Sequence, residues 1–399
     1  MGKNRIVAGR GFKSPQVRKG GRVERQAGKA ARPGWRIAGP AIGLLLLAGC
    51  NPVYVIRLGW AESRILRSRV PLTEVMADPD TEPGERGKLR LAWDARRHAI
   101  NELGFENAGD SYTSLARLES DTLALVLTAA YADRLELRTW WFPVAGRIPY
   151  RAYFSVEGAE EARDALEREG FDTYLRPTAA FSTLGWFADP LYSTMLAADE
   201  VGVVETVLHE LAHNHLYLPG QGRFNESYAN FAGHAAAIHF FCRDQADGLP
   251  TVRCRRARAR WEDAQDVSRY IDGVEREVVA LLSSSAGSAG SGNPGSRGGA
   301  TLLAARDSLY RAARDDFVSR VQPSLRATSY AYLAAEPLNN ATLLSRSLYY
   351  HRLPGFDALW RATGEDLASL MAWMRDTAPG LDDPFGILDS EPPSAPAPD

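Results

Sequence analysis

Two histidines four residues apart, set in an otherwise apolar helix-forming run, constrain this chain more than any other feature. The run reads Glu205-Thr-Val-Leu-His209-Glu210-Leu-Ala-His213. At about 100° per residue, helical residues i and i+4 project about 40° apart, so His209 and His213 share a face and can share a zinc ion. Glu210 lies about 100° round from His209, close enough to reach a water on that ion without being a ligand. A catalytic zinc also needs a third protein ligand and an open position. After the turn-forming Pro219-Gly-Gln-Gly comes Phe224-Asn225-Glu226-Ser-Tyr-Ala-Asn230. Glu226 supplies the third ligand if this second helix folds back on the first. Asn230, one turn further, is then placed to hold the free ring nitrogen of His209 or His213.

The remaining histidines read as structural. His215 lies about 240° round from His209 and faces away. His234 and His239 share the second helix with Glu226, and His234, about 80° from it, is a secondary candidate for the cleft wall. His98 and His351 have no recognisable partner in sequence.

The expected fold class is α+β, a small mixed α/β subdomain followed by a mainly helical, zinc-bearing region. Helical periodicity covers 53–78 and 85–103 within an N-terminal segment, 50–110. Between 111 and 198 the grain changes. Leu123–Thr128, Thr139–Phe142, Tyr150–Phe154 and Thr173–Arg176 are short β-rich runs, with an amphipathic helix over Glu157–Glu169 ending at Gly170. Phe181–Leu184 and Tyr192–Leu196 continue the β character. Tryptophans 140, 141 and 186 read as core. Residues 199–380 are helical apart from a Gly/Ser-rich insert, 283–300, whose flanking helices 255–282 and 301–322 are expected to pair. A disordered tail is expected over 381–399.

The full-length net charge of −2 hides an asymmetry. Residues 1–36 hold eleven Lys/Arg and one acid, whereas the chain after residue 49 has a net charge of −12. Such an acidic body repels a phosphate backbone, which argues against nucleic-acid binding. Residues 37–49 form an apolar run too short to span about 30 Å of hydrocarbon, and with the basic stretch before it this is the grammar of a secretory signal over 1–49. Leu47-Ala48-Gly49-Cys50 resembles a bacterial lipobox, in which the cysteine is lipid-modified and begins the mature protein. Asn51 at the next position implies, by resemblance to sorting rules in two-membrane bacteria, the outer membrane, facing the periplasm. Cys242 and Cys254 enclose eleven residues. In an oxidising compartment they are expected to pair and to stabilise the fold by roughly 2–3 kcal/mol.

His209-Glu210-Leu-Ala-His213 with Asn225-Glu226-xx-Ala229 resembles the gluzincins, zinc peptidases with two histidines and a downstream glutamate. More closely, the chain resembles the bacterial "putative aminopeptidase" family of lipoproteins. The segments that carry this likeness are Trp140-Trp-Phe-Pro-Val-Ala-Gly-Arg-Ile-Pro-Tyr-Arg-Ala-Tyr-Phe, Ser182-Thr-Leu-Gly-Trp-Phe-Ala-Asp-Pro and Leu338-Asn-Asn-Ala-Thr-Leu. The resemblance implies one Zn2+ per chain on His209, His213 and Glu226, a peptide substrate, and Glu210 as general base. It also implies a second oxyanion stabiliser. Tyr330, Tyr349 and Tyr350 are candidates, with Tyr350 placed first. Residues Ser182–Ser193 are a candidate edge strand for pairing with an extended peptide. Position 230 is Asn where thermolysin-like enzymes place Asp, and the Gly-x-Met-Glu-Asn motif of the best-known gluzincin aminopeptidases is absent. Two further readings fit the same residues: a non-catalytic envelope-binding lipoprotein, and an endopeptidase or cell-wall peptide hydrolase. The lipobox reading predicts that Cys50→Ser abolishes labelling by a fatty-acid probe and releases the protein from membranes; unchanged labelling would contradict it.

Overall fold

The computed structural model describes residues 67–118, 124–142, 146–178, 188–243, 249–286 and 297–393, and from 67 onward these belong to one compact unit. The leader, Cys50, the helix expected before 67, Phe181–Leu184, Trp186, the middle of the insert and the last six residues lie outside them. No helix among the described residues is long and apolar enough to cross a membrane. The chain runs through β1 (Val70–Pro71), α1 (Leu72–Ala77) and α2 (Pro83–Asn101). Helix α2 starts cleanly because Pro83 occupies its first turn and the Glu82 carboxylate accepts from Glu85 N–H. Strand β2 (Ser114–Ala116) joins β1 to a later strand in a small sheet.

The second sheet places the site. Strand β3 (Ala124–Tyr131) precedes a hairpin of β4 (Trp140–Phe142) and β5 (Gly146–Ile148). Strand β6 (Tyr150–Tyr153), α3 (Val156–Arg168) and β7 (Phe171–Thr178) follow. β3 lies between β6 and β7, antiparallel to both, with Thr128 opposite Tyr150 and Tyr174, and Val126 opposite Arg176. Side chains alternate between the faces of a strand. Leu127 and Ala129 therefore pack with Leu166 of α3 on one face, while Ala130 and Tyr174 meet Ala341 on the other. Tyr150 and Arg176 share that second face. Strand β8 (Leu191–Tyr192) then runs parallel to β2.

Helix α4 (Glu200–His215) is capped by Asp199, whose carboxylate accepts from Gly202 N–H at 2.8 Å. Val201, Val203, Val204, Val207, Leu208, Leu211 and Ala212 are all buried, so this helix needs neighbours on every side. Helix α2 and helix α5 (Gly222–Cys242) provide most of them. The α4–α5 turn contains Gly220 at φ +80°, a conformation that favours glycine. α5 then returns antiparallel. A Cβ at Gly233 would lie 2.9 Å from the Glu205 carbonyl oxygen and 3.1 Å from His209 N and Cβ. Gly233 is seven residues from Glu226, so both lie on the stripe facing α4.

The Cys242–Cys254 disulfide joins the end of α5 to α6 (Val252–Ala286) and settles a pairing that spacing alone left open. α6 packs through Val267, Ile271 and Val274 against Tyr310, Ala313 and Phe317 of the helix α7 (Arg297–Asp316) and the turn after it. These helices reach further into the insert than 282 and 301, which leaves 287–296 outside the described residues. Four shorter helices complete the body: α8 (Ala331–Ala335), α9 (Asn340–Tyr350), α10 (Leu353–Ala362) and α11 (Leu367–Thr377).

Several expectations need correction. Of Tyr192–Leu196 only Tyr192 is strand, because Ser193–Ala197 winds into a 3-10 turn. The segment from 381 is ordered as far as it is described, because Pro384–Asp389 forms a 3-10 turn that buries Phe385 and Ile387 in the main core. Trp141 is 48% exposed, since strand alternation turns it away from the side on which Trp140 is buried. The closeness at Gly233 makes a testable contrast. Gly233→Ala should destabilise the fold by about 1–3 kcal/mol through overpacking, despite the better helix propensity of alanine. Gly87→Ala, on the exposed side of α2 with nothing within 4 Å, should stabilise it by about 0.5–1 kcal/mol. Denaturant titration of both variants checks this.

Candidate metal centre

The antiparallel α4–α5 pair aligns His209 and His213 with Glu226. His209 Nε2 and His213 Nε2 each lie 3.5 Å from Glu226 Oε2, and one donor atom from each residue falls within 4.8 Å of the others. A tetrahedral ion with bonds of about 2.1 Å separates its ligand atoms by roughly 3.4 Å, so the donor set fits zinc in spacing and chemistry. These separations are long for direct hydrogen bonds. Exposure is graded: the His213 side chain is 6% exposed, His209 17% and Glu226 26%, so the centre is rooted in the core and reachable from one side. Burial alone would raise the Glu226 pKa, but the two imidazoles override it and hold the carboxyl well below its usual range. Burial likewise opposes charge on His213, and Glu226 outweighs it, raising that pKa.

Glu210 lies beside the cluster. Its carboxylate makes no hydrogen bond or ion pair with any described residue. Desolvation raises its pKa, against the pull of both histidines. Three residues from elsewhere in the chain approach the cluster. The Tyr349 ring stacks on His209 at 6.2 Å, and Arg176 Nη2 donates to the Tyr349 hydroxyl at 3.2 Å. Tyr150 is 37% exposed and lies near enough to the cluster for the Glu226 charge to act on it. Desolvation and the Glu226 charge push its pKa up to about 12, and the same causes raise Tyr349. Both phenols therefore remain protonated donors at neutral pH.

Tyr349 is pinned to the glutamate-bearing helix by its own backbone. Asn230 Nδ2 donates to the Tyr349 carbonyl at 2.7 Å; Ser227 Oγ donates to Leu348 O at 2.8 Å and accepts from His351 N–H at 3.2 Å. Behind this turn, His351 Nδ1 pairs with Asp272 at 2.7 Å, and Glu275 binds Ser347 and Arg223. Asp272, Glu275 and His351 form a second group with metal-compatible spacing. Their mutual pairing and the Arg223 guanidinium already satisfy those charges.

Several sequence expectations change here. Asn230 serves the Tyr349 backbone rather than a histidine, and His213 Nδ1 is buried with no partner among the described residues. Tyr350 points away: its hydroxyl meets that of Tyr332 at 3.3 Å and its ring abuts Tyr330. Adjacent helical residues diverge by about 100°, so only one of the pair 349/350 can face the metal ligands, and sequence leaves that phase open. His98 and His351 do have partners. His98 contacts His239 at 2.9 Å and Arg243 at 3.0 Å. His215 is structural as expected, held by Glu106 N–H and Met371 O and stacked on Phe105. His234 binds Glu205 at 3.0 Å and does not line the cleft. Of the candidate edge strand Ser182–Ser193, only 188–193 fall among the described residues, and there Leu191 and Tyr192 are fully buried. Tyr150 and Arg176 were missed by sequence reasoning; a charged residue on the packed face of a β-run was the one available signal.

Two helices that bring two imidazoles and a carboxylate to one point, beside a glutamate without a partner among the described residues, define a protein built around a candidate metal centre. A family model described as "Putative aminopeptidase" matches residues 53–380, and the chain belongs to that family. No curated protein and no solved structure matches the chain. The purified protein should hold about one equivalent of divalent metal. His213→Ala and Glu226→Ala should lose it, and chelation should lower the melting temperature of the parent. Full metal retention in His213→Ala would refute the ligand assignment.

Proposed function

We propose that the protein is a zinc-dependent peptidase, an aminopeptidase in keeping with its family, in which Glu210 is the general base. The observation that carries this reading is the meeting of His209, His213 and Glu226 within 4.8 Å beside a Glu210 carboxylate that has no hydrogen-bond or ion-pair partner among the described residues. Zinc held by those three residues would supply Lewis acidity, enough to let water lose a proton near neutrality. Glu210 takes that proton and returns it to the leaving amine, a role its raised pKa suits because the acid form must also be accessible. Tyr349 and Tyr150 keep their protons and can donate to the oxygen that becomes negative as the carbonyl is attacked. This gives the oxyanion role to Tyr349 in place of Tyr350.

Cys50 and the leader support a lipid-anchored protein of the bacterial cell envelope, facing the periplasm. The Cys242–Cys254 disulfide suits such an oxidising compartment.

Glu210→Gln is nearly isosteric and leaves the three ligands untouched. Zinc content and melting temperature should hold, while hydrolysis of a peptide library falls at least ~10²-fold. Undiminished hydrolysis would mean that another group is the base, and loss of zinc would give Glu210 a structural role. Tyr349→Phe should lower kcat by ~10-fold or more, with Tyr350→Phe close to the parent. If parent and variants are all inactive, the envelope-binding reading replaces the peptidase.

A further inference from the structure

Most enclosed arginines of this fold have a carboxylate. Arg306 binds Asp172 at 2.9 Å, Arg346 binds Glu336 at 3.0 Å and Arg260 binds Glu205 at 2.6 Å. Arg176 differs. It is half-buried on the face of β7 that carries Tyr174, and among the described residues it has the Tyr349 hydroxyl at 3.2 Å and the Tyr349 ring at 5.7 Å, with no ion pair. Glu226 is the carboxylate whose charge acts on it most, but that group is committed to His209 and His213. A half-buried guanidinium with no carboxylate partner among the described residues gains little stability where it stands. The guanidinium, the Tyr349 hydroxyl and the Tyr150 hydroxyl together offer neutral and cationic donors on the open side of the metal centre. Such a surface repels an ammonium group and matches the planar fork of a carboxylate.

We infer that the Arg176 guanidinium, oriented by its hydrogen bond to the Tyr349 hydroxyl, forms a carboxylate subsite beside the candidate metal centre, so that the substrate is a short peptide held through a carboxylate of its own. The inference rests on the peptidase reading and narrows it. The carboxylate has two possible sources: the C-terminus of a di- or tripeptide, or an acidic side chain in a longer one.

Zinc-loaded Glu210→Gln protein, which binds without turnover, allows the test by calorimetry with three peptides: Ala-Ala-Ala, its C-terminal amide, and the amide of Ala-Glu-Ala. Ala-Ala-Ala should bind at least ~10-fold more tightly than its amide, and adding Arg176→Leu should erase the difference. Tight binding of the Ala-Glu-Ala amide, also lost with Arg176→Leu, would assign the subsite to a side chain. Zinc content and melting temperature should hold or rise in Arg176→Leu, whereas a purely structural arginine would lower the latter. Arg176→Lys keeps a cation there and should retain part of the preference, which secures the test if the leucine variant folds poorly. Equal binding of all three peptides would overturn the inference. So would a uniform fall in kcat with unchanged KM when Arg176→Leu alone is assayed on acid and amide, since the guanidinium would then serve the oxyanion and the peptidase reading would stand. If none of the peptides is bound or cleaved, the peptidase reading falls and the inference with it.

Discussion

The candidate site depends on how closely α4 and α5 approach each other. At Gly233 the two helices come so near that an added methyl group would press on the Glu205 carbonyl and the His209 backbone. From that contact the antiparallel register follows, and two turns back along α5 it brings Glu226 level with His209 and His213. The all-round burial of α4 between α2 and α5 keeps this spacing rigid, because its valines and leucines leave no direction in which to slide.

A second layer of order holds the open side. The turn after α9 is fastened to α5 through Ser227 and Asn230, and to α6 through Asp272. Tyr349 is thereby set over His209 by backbone restraints, with its hydroxyl left to meet Arg176. The sheet supplies Arg176 and Tyr150 from its face toward α9. Three parts of the chain separated by many residues thus converge on a site whose candidate metal ligands come from one helical hairpin.

This division explains what the sequence made legible. His209, Glu210, His213 and Glu226 could be read because helical periodicity fixes relative direction over a few turns, and a short glycine-containing turn leaves little choice but a hairpin. The β-runs and the helix over 157–169 were also legible, since alternation and caps are local signals. Tyr349 was harder: the period predicts that 349 and 350 diverge but gives no absolute phase for α9. Asn230 was assigned to the nearest metal ligand because the Tyr349 carbonyl, its actual partner, lies 119 residues away. Tyr150 and Arg176 depend on which face of a sheet meets a distant helix, a long-range fact whose one local trace is a charged residue within a β-run. Phe385 and Ile387 sit in a short Pro-rich stretch that reads as tail, yet they fill the core beside Phe224 and Phe356.

The central claim is that His209, His213 and Glu226 hold one zinc ion. Anomalous diffraction at the zinc edge, on crystals of protein purified without added metal, tests it most directly. The account predicts a single strong peak about 2.0–2.2 Å from His209 Nε2, His213 Nε2 and a Glu226 oxygen. A peak at Asp272, Glu275 and His351 instead, or zinc-bearing crystals in which Glu226 stands outside bonding distance of the ion, would contradict it.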